Sequence, residues 1–226
     1  MKQPTKTSAI LLAGGTGTRM QSSIPKQFLT LNEKPIALHS FEFFLDMAQI
    51  DEIIVVCPPS FKDIFKHHPS KPVLFALPGK RRQDSVFNGL QASSNELICV
   101  HDAARPFIDK ELVVRVLDSG RHYGAATAAM PIKFSIKESD SHEFVKNTLD
   151  RTKIWEIQTP QVLHRDILIS GFTYAHQHSI TVTDDVSLAE IVGKQVKLVE
   201  GSHTNFKITV PADLTIAHHL LHSLKP

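Results

Sequence analysis

Near the start of the chain stands Ala9-Ile10-Leu11-Leu12-Ala13-Gly14-Gly15-Thr16-Gly17-Thr18-Arg19-Met20, with Pro25-Lys26-Gln27 a few residues on. The apolar run reads as a buried strand, and it ends at a loop holding three glycines. Glycine lets a backbone adopt positive φ and come close to a ligand, so its N–H groups can point at phosphate oxygens. Arg19 and Lys26 place two fixed positive charges beside that loop. The stretch therefore reads as a first strand emptying into a polyphosphate cradle, with a ligand-free β–α turn as the plainer alternative. Spacing excludes two commoner cradles. A dinucleotide fingerprint needs glycine at its sixth position, which counted from Gly15 is Met20. A Walker loop needs Gly, four residues, then Gly-Lys-Ser/Thr; Gly79-Lys80 is followed by Arg81, and Leu74 stands five residues before Gly79.

Outward from this loop, apolar runs alternate with helical patterns. Further strands are expected at Glu52–Cys57, Pro72–Leu77, Leu97–Val100, Ala125–Met130 and Val196–Glu200, beside the first at Ser8–Ala13. Phe41, Phe44, Leu45 and Ala48 share one helical face, as do Leu214, Ala217, Leu220, Leu221 and Leu224, with Pro211 suited to a first helical turn. Alternation of this kind implies an α/β fold, a mostly parallel sheet covered on both faces, with ligands at the carboxyl ends of the strands. Residues 132–149 break the rhythm. The runs Ile132–Lys137 and Glu143–Leu149, around a polar turn at 138–142, read as a β-hairpin arm inserted in one domain of residues 1–226. The arm is a plain surface excursion or, with its exposed apolar edges, a dimerisation device.

Composition bounds the function. With 226 residues, 42% hydrophobic and 21% charged, the chain resembles an ordinary globular enzyme. A net charge of +2 gives no electrostatic case for a nucleic-acid or membrane partner. No run approaches the roughly 18 apolar residues of a transmembrane helix. The polar start Met1–Ser8 is no signal peptide, and Cys57 and Cys99 read as buried core thiols, so a cytoplasmic location is expected.

The second informative run is Val100-His101-Asp102-Ala103-Ala104-Arg105-Pro106-Phe107. Asp102 should lie just past a strand's carboxyl end. A carboxylate beside a triphosphate calls for a divalent cation such as Mg²⁺ between them, unless it caps a helix or pairs with Arg105. Arg105 offers a planar fork to a second phosphate, or to an acid on the surface. His101 reads as a packed strand-end residue. In Pro78-Gly79-Lys80-Arg81-Arg82-Gln83-Asp84-Ser85, Gly79 and Ser85 either read the edge of a base or belong to helix-start chemistry in a solvated basic turn. Late in the chain, Arg151, Thr159 and Lys207 are candidates for a phosphorylated acceptor. Lys207 is placed in a short apolar strand, where its ammonium needs an anion. Asp184 and Asp185 read as caps of a helix over Val186–Val192. The thirteen histidines show no metal-ligand spacing, and no Gly-x-Ser-x-Gly elbow occurs. A kit rich in phosphate holders and lacking a nucleophile fits direct in-line transfer between phosphates.

Taken together, Leu11–Met20, Pro25-Lys26-Gln27, Asp84-Ser85-Val86, His101–Pro106, Asp150-Arg151, Thr159-Pro160-Gln161, Thr183-Asp184 and Asn205–Thr209 resemble the 2-C-methyl-D-erythritol 4-phosphate cytidylyltransferases, in order and over nearly the whole chain. The resemblance implies a Rossmann-like three-layer α/β/α fold, a homodimer with interlocking arms, Mg²⁺ dependence, and conversion of CTP and methylerythritol phosphate to a CDP-linked product and pyrophosphate. It implies that Ala13, Gly14, Gly15, Thr16 and Gly17 wrap the triphosphate, held by Arg19 and Lys26. Gly79 and Ser85 would meet the cytosine, and Asp102 would serve the metal. Arg151 and Lys207 would bind the acceptor phosphate and α-phosphate, helped by Thr159 and Thr183, while Arg105 would reach into the partner subunit's site. Ser135 stands where the arm usually offers threonine, Phe206 where isoleucine is usual, and Lys80 where an acid is common. A ribitol 5-phosphate cytidylyltransferase and a non-catalytic nucleotide-binding module are the rival readings.

Overall fold

The computed structural model describes residues 5–15, 20, 24–65 and 71–223. Its strands and helices, in chain order, are β1 (Thr7–Leu12), β2 (Thr30–Leu31), β3 (Lys34–Pro35), α1 (Ile36–Asp46), β4 (Glu52–Val56), β5 (Val73–Ala76), α2 (Arg82–Ala92), β6 (Leu97–Asp102), α3 (Lys110–Tyr123), β7 (Ala125–Pro131), β8 (Lys137–Ser139), β9 (Val145–Thr148), β10 (Trp155–His164), α4 (Arg165–Gln177), α5 (Ser187–Glu190), β11 (Lys197–Glu200) and α6 (Pro211–Ser223). Seven strands form one sheet in the order β11-β7-β10-β6-β1-β4-β5. Every strand expected of the α/β body is present within a residue or two.

Strand β1 has six buried residues in a row, because it lies inside the sheet with both faces covered. Its side chains alternate: Ala9 and Leu11 pack among Phe41, Phe44, Leu112 and Val116 of α1 and α3, whereas Ile10 and Leu12 pack among Val86, Leu90, Leu168 and Phe172 of α2 and α4. This two-sided core is what the continuous apolar run encodes. Strand β1 runs parallel to β4 on one side and β6 on the other, and Leu12 is in register with both Val56 and Asp102. The crossover reverses at this point, so the crevice beyond Leu12 is the switch-point crevice where such sheets hold ligands. Register alone thus places Asp102 beside the glycine turn.

Strand β10 is absent from the pattern expected of the sequence. It lies antiparallel between β6 and β7, with a register shift between Ile157 and Gln161. Pro160 and the polar residues Gln158, Thr159 and Gln161 hide the strand from a pattern reading. These three polar side chains are buried, and their partners belong to the functional site. The arm is a hairpin, but residues 132–136 are not strand. Pairing is confined to β8 and β9, and the turn runs over Asp140–Phe144, where the Asp140 carboxylate accepts from the N–H groups of His142 and Phe144. No residue from 132 to 153 is buried. The expected helix over Val186–Val192 shortens to α5, and residues 205–209, including Lys207, form an irregular segment rather than a strand.

Candidate active site

Two cavities open at the carboxyl ends of the parallel strands. The first, about 320 Å³, is floored by Gly14, Gly15, Lys26 and Gln27 on one side and by Gly79, Arg81 and Ser85 on the other. The second, about 270 Å³, is bounded by Arg105, Thr159, Thr183 and Asp184. Arg82, Asp102 and Lys207 line both, so the two cavities share a charged wall.

Close approach fixes the glycines of the first cavity. A Cβ on Gly14 would overlap the Pro78 ring, and one on Gly79 would overlap Asp84. The two loops therefore meet across the cavity with no room for a side chain between them. Gln27 braces the turn: its carboxamide nitrogen faces the Gly15 carbonyl at 3.0 Å and its oxygen faces the Gly15 N–H at 3.2 Å. Lys26 is buried and its ammonium donates to the Ile208 carbonyl at 2.7 Å, tying the turn to the segment that carries Lys207. The Ser85 hydroxyl accepts from the Gly79 N–H at 2.9 Å and donates to the Arg81 carbonyl at 3.3 Å. Ser85 thus closes the 79–85 loop, a different task from the base reading expected of it.

The shared wall is a chain of alternating charges. Arg82 donates from Nη1 and Nη2 to both carboxylate oxygens of Asp185, at 2.7 and 2.9 Å, and from Nε to Oδ1 of Asp102 at 3.1 Å. Lys207 donates to Oδ2 of Asp102 at 2.6 Å. Burial alone would push the Asp102 carboxyl up, but the charges of Arg82, Lys207 and Arg105 outweigh it and hold the group well below the usual carboxylate range. Burial also works against the charge on Arg82, and Asp185 and Asp102 more than offset it, so Arg82 is firmly cationic.

Strand β10 positions this wall from behind. The Thr159 hydroxyl accepts from the Asp102 N–H at 3.1 Å and meets Nδ1 of His101 at 3.0 Å. Nε2 of His101 faces the Arg105 carbonyl at 3.2 Å, so the ring's proton sits on Nε2 and Nδ1 accepts from Thr159. Burial pushes the His101 pKa down to about 4, which keeps the ring neutral. Gln161 accepts from the N–H groups of Asp185 and Val186, at 2.7 and 3.1 Å. Asn205 donates to the Thr159 carbonyl at 2.8 Å and to the Gln158 side chain at 3.1 Å.

Of the residues singled out from sequence, Lys26, Gly14, Gly15, Gly79, Ser85, Asp102 and Lys207 meet at the first cavity, and Arg105, Thr159 and Thr183 at the second. Thr16, Gly17 and Arg19 lie outside the described residues. Other expected site residues take positions that the sequence does not show. Ala13 is buried and lines neither cavity; its N–H donates to the Val56 carbonyl at 2.9 Å, because it continues the sheet by one residue. Arg105 does not pair with Asp102 or reach outward. It is buried, and its guanidinium donates to the Asn205 carbonyl of its own chain at 2.7 Å. Ser135 belongs to the exposed arm and Arg151 to a short exposed turn, Arg151–Lys153, just after it; neither lines a cavity, and the Arg151 guanidinium donates to the Lys133 carbonyl at 3.2 Å. Asp184 does cap, accepting from the Ser187 N–H at 3.0 Å, but Asp185 is the buried partner of Arg82. Arg82 itself escapes the sequence reading, where it passes for part of a basic turn. It is the first residue of α2, the positive end of a helix, where a cation is out of place unless an anion faces it. That misplacement is the signal in the sequence that could have found it.

Two cavities that meet at a cationic wall, at the switch point of a doubly wound sheet, suit transfer between two phosphorylated substrates; in class the protein is a nucleotidyltransferase. The family model described as "IspD: 2-C-methyl-D-erythritol 4-phosphate cytidylyltransferase" matches residues 7–223. The chain belongs to this family. A relative of that name from Chlamydia pneumoniae is 45% identical over 216 residues, covering 96% of this chain and 99% of its own length. The chloroplastic enzyme of Oryza sativa subsp. japonica is 48% identical over 219 residues, covering 95% of this chain and 74% of the relative. Among solved structures, the cytidylyltransferase of Thermus thermophilus superposes with a TM-score of 0.80 at 31% identity, over 96% of this chain and 99% of that one. The synthase of Anaerococcus prevotii gives a TM-score of 0.86 at 27% identity with the same coverage. Among the described residues no helix is long and apolar enough to cross a membrane.

Proposed function

We propose that this protein joins CTP to 2-C-methyl-D-erythritol 4-phosphate, releasing pyrophosphate and the CDP-linked product, by direct in-line attack of the acceptor phosphate on the α-phosphorus. The observation that carries the reading is the wall of Arg82, Asp102 and Lys207 common to both cavities. With the nucleotide in the first cavity and the acceptor in the second, the α-phosphate and the attacking oxygen meet at that wall. Lys26 and Arg19 hold the polyphosphate and offset charge that moves onto the leaving pyrophosphate. Lys207 faces the α-phosphate and stabilises the crowded phosphorus. Arg105 and Thr183 bound the acceptor's end. Thr159 contributes by fixing the backbone of Asp102.

The residues present fit a divalent cation. Asp102 is ionised and lines both cavities, where it would hold the cation in place of its contact with Lys207. One protein carboxylate, with phosphate and water oxygens completing the shell, is the donor set that Mg²⁺ prefers. When bound, Mg²⁺ would neutralise phosphate charge beside Asp102.

The whole chain acts as a single unit carrying an arm, and the arm joins two copies into a homodimer. Phe134, Phe144 and Val145 are 77%, 72% and 63% exposed, a poor arrangement for a lone chain. Arg151 and Ser135, remote from their own cavities, would then serve the acceptor site of the second copy. Nucleic acid and membrane have no part in this reading. Buried free thiols at Cys57 and Cys99 accord with the cytoplasm.

The test is pyrophosphate release with each of the four nucleoside triphosphates crossed with methylerythritol phosphate and ribitol 5-phosphate. Turnover confined to CTP with methylerythritol phosphate is expected. Preference for ribitol phosphate, or binding of CTP without release from either pair, would overturn the reading.

A further inference from the structure

Of the three residues in the shared wall, Arg82 alone has no part in the reaction described above. We propose that Arg82 is a positioning residue of the transfer site: anchored by Asp185, it fixes the orientation of the Asp102 carboxylate, and through Asp102 it aligns Lys207. This inference rests on the cytidylyl-transfer reading.

The geometry argues it in four steps. Arg82 uses its fork at both ends, two nitrogens on Asp185 and the third on Asp102, so its plane is fixed. Asp185 is itself held: it is 1% exposed, and its N–H donates to Gln161 of β10. Asp102 has Oδ1 committed to Arg82 and Oδ2 to Lys207, so the orientation of its carboxylate sets where the Lys207 ammonium sits. A carboxylate's terminal torsion is soft, so without the Arg82 contact the group turns and Lys207 turns with it. Position therefore passes from the sheet through Gln161, Asp185, Arg82 and Asp102 to the lysine at the reacting phosphate. Asp185 itself lines neither cavity, and its carboxylate meets them through Arg82.

Arg82→Lys and Asp185→Asn separate this role from charge balance and from direct contact with substrate. Arg82→Lys keeps the positive charge that buried Asp185 needs for folding but loses the fork. It should lower kcat by about 100-fold, the effect of misplacing a reacting group by about an ångström. CTP affinity, measured by calorimetry with Mg²⁺ present, should stay within about threefold. Asp185→Asn should lower kcat by about tenfold on the same terms, and the double variant should be no slower than Arg82→Lys alone. The proposal is overturned if Arg82→Lys keeps kcat within threefold of the unaltered enzyme, since charge alone then suffices. It is overturned equally if CTP affinity falls as far as kcat, the mark of a direct ligand, or if the two substitutions add. Turnover by the unaltered enzyme is the control: its absence counts against the reaction, while active variants count against Arg82.

Discussion

Lys207→Ala separates catalysis from folding, because the proposed reaction gives the lysine a large weight and its contacts in the fold a small one. Its ammonium lies 2.6 Å from Asp102, with its side chain 33% exposed. Removing it strands no charge, since Asp102 keeps Arg82 at 3.1 Å. A partly exposed pair of this kind contributes about 1 kcal/mol at most to stability, so the melting temperature should fall by no more than about 4 °C. In the proposed reaction the same ammonium faces the phosphorus where charge collects, and there it should be worth about 100- to 1,000-fold in kcat. Initial rates of pyrophosphate release at saturating acceptor, run beside a thermal melt, read both quantities on one preparation. A variant that retains kcat within tenfold refutes the role of Lys207 in the transition state. One that melts more than 10 °C lower refutes the claim that Asp102 is already satisfied by Arg82.

Three further outcomes follow from the same geometry. His101 is neutral in the fold with its pKa near 4 against 6.5 unfolded, so the unfolded chain binds the proton first as pH falls; about 3 kcal/mol of stability should be lost between pH 6.5 and 4, and urea melts of His101→Gln should lack that part of the slope. Gly79→Ala should raise the KM for CTP by about tenfold or more, because its Cβ would overlap Asp84 and force the 79–85 loop open, and an unchanged KM would remove that loop from the nucleotide site. Phe134→Ser combined with Phe144→Ser should convert a dimer to a monomer in sedimentation velocity and abolish turnover, whereas a fully active monomer would take Arg151 and Ser135 out of the reaction.

The parts of this fold that are legible in the sequence are those where one side-chain type dominates. Buried parallel strands such as β1, β4 and β6 are continuous apolar runs, and glycines that must not bear a Cβ mark the turn beside them. Strand β10 is illegible for the opposite reason. Its Gln158, Thr159 and Gln161 hold partners on β6, the 183–186 segment and Asn205, so the residues that make it part of the site disguise it as a loop. The site divides in the same way. Lys26, Asp102 and Lys207 stand out by charge beside glycine or at a strand end. Arg82 and Asp185 are hidden by more ordinary neighbours, Arg81 and Asp184, which are a surface ion pair and a helix cap. Arg105 and Arg151 are both arginines after an aspartate-containing run. Only three-dimensional placement shows that the first points inward to Asn205 while the second sits exposed at the base of the arm.

The central claim is that two phosphates meet directly at the wall of Arg82, Asp102 and Lys207, with no enzyme-bound nucleotide between. Turnover of CTP made chiral at its α-phosphorus, by one sulfur in place of an oxygen, tests it most directly. A single in-line displacement inverts that centre in the CDP-linked product; retention of configuration would require two displacements, and a transfer through the protein that this site is not built to make.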